Sequence, residues 1–179
     1  DVILDCQGHT IDGTDASNTY GIYVYRDSAT KTNITIKNCV LTDWDNGIYL
    51  YYSYFNTLTN IIANSNGNGI YLIGSYFNTL TNITANSNGC GISLTDSSSY
   101  NTLTNIIANY NYEGLSLYYA SSNTLTNIIA NSNWYSGLSL YSSDSNTLTN
   151  ITANSNYYYG ILLDYSNSNT IKNSKFQDN

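Results

Sequence analysis

The chain has no proline and no methionine, and only 9% of its 179 residues are charged. Without proline, its turns must come from the Asn, Ser, Thr and Gly that fill most polar positions. The five cations are Arg26, Lys31, Lys37, Lys172 and Lys175, and none lies between residues 38 and 171. A nucleic-acid partner needs cationic groups to displace condensed counterions, so that class is excluded. An anionic membrane surface is disfavoured on the same ground. No apolar run reaches the roughly 18 residues of a transmembrane helix, and no signal-peptide pattern opens the chain. What is present is 20 Tyr, 12 Gly and many short runs of Ile, Leu and Thr, with a net charge of −7. Asn and Gly are poor helix formers, whereas Tyr, Ile and Thr suit a pleated, half-buried surface. An all-β protein is expected. Because the chain opens at Asp1 inside a motif, it is expected to be a processed product or an excerpt of a longer protein.

Self-similarity decides the fold class. The string Asn-Thr-Leu-Thr-Asn-Ile recurs from Asn56, Asn78, Asn101, Asn123 and Asn146, at steps of 22, 23, 22 and 23 residues. Residues 169–173 are a degenerate further copy, and residues 33–38 resemble its start. A second anchor, Gly-(Ile/Leu)-x-(Leu/Val), begins at Gly21, Gly47, Gly69, Gly91, Gly114, Gly137 and Gly160, so about seven rungs are expected. Each unit reads as three short strands. Alternation points Leu58 inward between Thr57 and Thr59, then Ile61 and Ala63, then Ile70 and Leu72. The position between Ile61 and Ala63 is Ile or Thr from copy to copy and is expected to face out. Asn60, Asn82, Asn105, Asn127 and Asn150 are expected at a bend, turned inward and bonded amide to amide between rungs. The period is too short for helical-pair repeats, and the leucine consensus of leucine-rich repeats is missing. The expected fold is an all-β, right-handed parallel β-helix filling a single domain, 1–179. Residues 1–55 form irregular first rungs, 56–168 regular repeats and 169–179 a partial last rung. With no cap legible at either end, each terminal rung is an edge open to pairing.

The opening Leu4-Asp5-Cys6-Gln7-Gly8-His9-Thr10-Ile11-Asp12-Gly13, with the recurrent Asn-Thr-Leu-Thr-Asn and Gly-Ile-x-Leu, resembles the NosD-type or CASH β-helix repeats. The resemblance spans essentially the whole chain. It implies a right-handed parallel β-helix in an extracellular or cell-surface protein and is nearly silent on activity. The copper-accessory role attached to the NosD name finds no support in a chain with one His and no Met. No cofactor and no metal are expected.

Candidate chemistry is sparse. Asp43 and Asp45 are the only close carboxylate pair; Asp96, Asp144 and Asp164 lie at similar turn positions in other rungs. Glycan cleavage needs two carboxylates at a set separation, one with a raised pKa. The Asp-Asp, Gly-His-Gly and Arg-Ile-Lys signatures of polygalacturonase-like enzymes and the cations of pectate lyases are missing, so no enzyme is expected. Cys6 and Cys39 fall at matching places in consecutive rungs, either as a disulfide or as stacked thiols. With His9 they would give a metal only three ligands. Cys90, in a Gly-Cys-Gly turn, is expected free or paired between chains. Of the sequons, Asn33 is the plausible glycosylation site, since Asn82 and Asn150 belong to the bend ladder.

Two surfaces stand out. Thr57/Thr59, Thr79/Thr81, Thr102/Thr104, Thr124/Thr126 and Thr147/Thr149 are expected to point out as a flat array of two columns. This ladder resembles the ice-binding face of some β-helical antifreeze proteins, although Thr is also a common exposed strand residue. Turn aromatics include Tyr51, Tyr52, Tyr54, Tyr76, Tyr118, Tyr119, Trp134, Tyr135, Tyr157 and Tyr158. They suit either a sugar track or a protein contact. The leading expectation is a non-catalytic structural solenoid that self-associates, as a homo-oligomer or filament. A polysaccharide-binding module and an ice-binding protein are the alternatives.

Overall fold

The computed structural model describes residues 2–25 and 33–179. In chain order the strands are β1 (Val2–Asp5), β2 (Thr10–Asp12), β3 (Tyr20–Tyr25), β4 (Ile34–Thr42), β5 (Asn46–Tyr51), β6 (Thr57–Ala63), β7 (Asn68–Ile73) and β8 (Thr79–Thr84). They continue as β9 (Cys90–Thr95), β10 (Thr102–Ile107), β11 (Glu113–Tyr118), β12 (Thr124–Ile129), β13 (Ser136–Tyr141), β14 (Thr147–Thr152), β15 (Tyr159–Asp164) and β16 (Thr170–Lys172). The described residues contain no helix. Strands alternate between two parallel sheets. Sheet A runs β1-β4-β6-β8-β10-β12-β14-β16, with β2 also on β4, and sheet B runs from β3 to β15 through the odd-numbered strands. The expected all-β parallel β-helix stands.

Register is copy on copy. Leu58 pairs with Leu80, Leu80 with Leu103, Leu103 with Leu125 and Leu125 with Leu148. On sheet B, Ile48, Ile70, Ile92, Leu115 and Leu138 form the matching column. These side chains are fully buried, and burial of each is worth about 1.5–3 kcal/mol. The anchor glycines have a packing reason. A Cβ at Gly69 or Gly91 would come within 2.6 or 2.5 Å of the next rung's glycine carbonyl oxygen.

Two details differ from the sequence reading. The first two short strands of each unit run together, as in β6, and bend at the Asn between them. Asn60, Asn82, Asn105, Asn127 and Asn150 hold φ between 54° and 57°, the left-handed region that Asn tolerates. Their side chains point outward, not inward. They are exposed and link rung to rung, Asn82 Nδ2 donating to Asn60 Oδ1 at 3.1 Å and Asn105 Nδ2 to Asn82 Oδ1 at 3.0 Å. The inward ladders are two others, through Asn56, Asn78, Asn101, Asn123 and Asn146 and through Asn66, Asn88, Asn111, Asn133 and Asn156. In the first, Asn101 Oδ1 accepts both the backbone N–H and the side-chain amide of Asn78, at 2.9 and 3.0 Å, while Asn101 Nδ2 donates to the Ser75 carbonyl at 2.9 Å. Turn amides that the bends would leave unpaired are satisfied by the neighbouring rung.

Asn101→Ala strands the Asn78 backbone N–H and the Ser75 carbonyl, removes one of the two bonds of the Asn78 amide, and is expected to cost about 2–4 kcal/mol in denaturant unfolding. Asn105→Gly keeps the left-handed backbone and loses only exposed amide bonds, so its cost is expected to stay below about 1 kcal/mol.

Candidate functional site

Because the Ile and Leu of each sheet B strand point inward, the residue between them and the strand's last residue point outward. In the outward position Tyr23, Tyr49 and Tyr71 stand in register and stack, with ring centroids 5.3 and 5.4 Å apart. Further along, Tyr118 stacks on Tyr141 at 5.0 Å, and the turn residues Tyr112, Trp134 and Tyr157 stack at 5.2 and 5.9 Å. The rings pile along the solenoid axis, so within a pile each face is taken by the next ring. A track of flat rings lying open to solvent, as the turn positions promise, does not form; edges and hydroxyls are what the piles show.

The piles stop at β9. Its outward side chains are Cys90, Ser93 and Thr95, and the first two lie recessed at 9% and 8% exposure. Tyr71 ends its pile on one side of this strand, and Tyr112 and Tyr118 begin theirs on the other. Among the described residues, none of the three has a ring partner on the β9 side. The strands on either side of β9 lie about 9.6 Å apart, twice the usual strand spacing. Small residues over β9 thus separate two groups of rings that belong to different columns: Tyr71 shares its column with Ser93 and Ser116, Tyr118 shares its column with Ile73 and Thr95, and Tyr112 lies in the turn before β11. The Thr95 hydroxyl donates to the Tyr71 hydroxyl at 3.4 Å.

Glu113 opens β11 at the edge of this recess, paired in register with Cys90 on one side and Ser136 on the other. It is the chain's sole glutamate. Across β11 the outward order is Tyr112, Glu113, Ser116, Tyr118, and across β13 it is Tyr135, Ser136, Ser139, Tyr141. Each row sets a polar floor between two aromatic rims. Burial pushes the Glu113 carboxyl above its ordinary value, opposed by hydrogen bonds with Ser116 and Ser139. Burial also raises the Cys90 thiol, with the Glu113 charge adding to it, so that sulfur stays protonated. The fully buried Ser136 hydroxyl has no hydrogen-bond partner among the described residues. Glu113 escapes a reading based on motifs. Its one signal is a lone carboxylate before an anchor glycine, in a stretch without cations.

The remaining sequence candidates are dispersed. Cys6 and Cys39 are joined as a disulfide with Cα atoms 4.8 Å apart. Cys90 is not on a turn; it is the first residue of β9, buried and free. Asn33 is exposed, and so are Asn82 and Asn150. Asp45 accepts the Asn18 backbone N–H at 2.8 Å, a turn contact. Tyr51 and Tyr52 meet edge to face at 4.6 Å, and Tyr54 and Tyr76 are tilted at 5.2 Å, both pairs beside β5 and β7. Tyr118, Tyr119, Trp134, Tyr135, Tyr157 and Tyr158 gather at the far rims. Tyr71 and Tyr141, on strands rather than turns, belong with them.

The Thr ladder keeps its register on sheet A, and its two columns are not equally open. In the first column Thr79, Thr102 and Thr124 are exposed, while Thr57 and Thr147 are half-buried. In the second column Thr59, Thr81, Thr104, Thr126 and Thr149 are all half-buried. Each of these second threonines is followed by a bend Asn whose amide also points outward and bonds along the stack. With its own counterparts one strand spacing away above and below, such a Thr is hemmed in on three sides. Solvent therefore meets one open column in the middle rungs and a partly shielded column beside it.

A family described as "Right handed beta helix region" matches residues 78–179, and one described as "Periplasmic copper-binding protein (NosD)" matches residues 2–108. No curated protein matches the chain. Among solved structures, the A-module of a mannuronan C-5 epimerase from Azotobacter vinelandii is 22% identical with a TM-score of 0.69, over 79% of this chain and 41% of that one. The enzymatically active domain of tailspike protein 2 from bacteriophage CBA120 is 15% identical with a TM-score of 0.80, over 97% of this chain and 30% of that one. An alginate lyase from Paenibacillus is 16% identical with a TM-score of 0.72, over 97% of this chain and 68% of that one. The chain thus spans less than half the length of the first two, and the likeness at these identities is one of fold. It corrects one expectation: the solved structures it resembles include epimerases, a pectate lyase and an alginate lyase, so missing polygalacturonase signatures do not set the chain outside catalysis. Copper does not fit the residues present. The sulfurs of Cys6 and Cys39 are spent on each other, and the chain has one His and no Met.

Since the folded-state pKa of Glu113 lies above its unfolded value of 4.5, the contribution is fully present below pH 4.5 and is lost as pH rises through the folded value. Wild-type protein is therefore expected to lose thermal stability relative to Glu113→Gln as pH is raised from about 4 to 8. Parallel melting curves check this; a constant offset between the two proteins would exclude it.

Proposed function

This chain belongs to the NosD-like right-handed β-helix family, and from that premise we propose that it engages a polysaccharide in the recess over β9 and β11, outside the cytoplasm. The observation that carries the reading is the break in the aromatic piles. Over β9 small side chains lie between the half-buried Tyr71 and the exposed Tyr112 and Tyr118, beside the half-buried Glu113 carboxyl and the recessed Ser93 hydroxyl. Sugar rings offer apolar faces to aromatics and hydroxyls to polar groups, and this recess supplies both kinds of partner in alternation. Within a pile no ring face is on offer, since faces are shared between rings. The fold is shared with polysaccharide lyases, epimerases and a tailspike, which supports the same class of ligand. The Cys6–Cys39 disulfide supports an oxidising, extracytoplasmic setting, in keeping with the periplasmic description of the matching family.

In affinity electrophoresis or calorimetry against a panel of soluble polysaccharides, at least one polymer is expected to bind. Tyr112→Ala and Tyr118→Ala are each expected to weaken that binding about three- to tenfold, from roughly 0.5–1.5 kcal/mol per ring contact. Tyr23→Ala, inside the other pile, is expected to stay within about twofold. The opposite ranking would place the glycan elsewhere on the solenoid.

A further inference from the structure

Two carboxyl groups flank the recess. Glu113 stands at its edge, and Asp96 directly follows Thr95 of β9, whose register partner is Tyr118. Asp164 lies farther along the stack, where it ends β15 in register with Tyr141. No described cation lies on sheet B. Lys37 and Lys172 are on sheet A, Lys37 being paired with Asp5 at 3.2 Å, and Lys175 bridges to Thr152 beside β14. Arg26 and Lys31 lie outside the described residues.

A ligand carboxylate or sulfate entering this recess would lose water and meet carboxyl groups with nothing to neutralise it. Burial at the floor weakens the screening that salt gives to exposed charges, and an unpaired charge in such a place is strongly disfavoured. Neither protonation state of Glu113 solves the problem, since a carboxyl group can hydrogen-bond an anion when neutral but cannot balance its charge. Sugar hydroxyls suit the site in both states, accepting from the acid or donating to the carboxylate.

Resting on the glycan reading above, we propose that the recess selects a glycan without acidic groups, with Glu113 as the residue that excludes polyuronates. This separates the chain from structural neighbours named for alginate and mannuronan, whose fold it shares.

The test compares the intact chain against a soluble β-glucan, a galactomannan and dextran, all uncharged, on one side and alginate and polygalacturonate on the other. Chelator is present, at low and at high salt. The non-acidic group is expected to contain the tightest ligand, with both polyuronates at least tenfold weaker at low salt and gaining affinity as salt is added. Glu113→Gln is expected to narrow that gap, and Glu113→Lys to raise polyuronate affinity at least tenfold; a melting curve for each variant verifies folding. Alginate or polygalacturonate binding wild type as tightly as the best non-acidic polymer would overturn the selectivity and leave the glycan reading intact. Failure of every polymer to bind would overturn both.

Discussion

One constraint runs through this molecule: each side chain meets its own counterpart from the next repeat, about 4.8 Å away. Aliphatic residues in that position give a continuous core of Leu and Ile columns, fully buried through the middle rungs. Amides give ladders in which one Asn carbonyl takes two donors from the rung before it. Rings give piles whose spacing is close to that of the strands. A solenoid of this kind has almost no long-range architecture beyond nearest-neighbour stacking. Its stability is a property of columns, and so are its surfaces.

That same constraint shapes what the surface can do. Twenty tyrosines would seem to make a broad adhesive face. In register they pair with one another, and a ring already stacked on both sides has only its edge to give. Recognition then depends on where a column is interrupted. At β9 small residues break the outward columns of sheet B, between Tyr71 on one side and Tyr112 and Tyr118 on the other. The neighbouring strand places a carboxyl there whose ordinary ionisation is opposed by burial. Where repetition is complete the surface is saturated, and where it lapses polar and aromatic groups become available together.

The shared fold relates this chain to carbohydrate-active enzymes without transferring a mechanism, because sites on a β-helix are carried by individual outward side chains while the fold is carried by the inward ones. An alternation of two separates these sets along every strand. Inward positions are held to Leu, Ile, Ala and Asn by packing, so relatives keep the architecture at low identity. Outward positions are free to differ, and with them the chemistry.

The repeat spacing and the in-out alternation were legible in the amino-acid sequence, and they determined the all-β solenoid, the inward Leu58, Ile61, Ala63, Ile70 and Leu72 columns, and the pairing neighbourhood of Cys6 and Cys39. These are local regularities that a one-dimensional pattern states outright. Which Asn ladder faces inward was not legible, since Asn60 and Asn56 look alike until the left-handed bend turns one amide outward and the other into the turn. The partial shielding of Thr81, Thr104 and Thr126 follows from that same outward turn of the bend amides. The site was hidden for a related reason. Tyr71 lies two repeats before Glu113 and Tyr118, which share β11, and no motif joins the three. Only stacking the rungs brings their columns to the same break, because the distance between them is set by strand pairing across the sheet and not by separation along the chain.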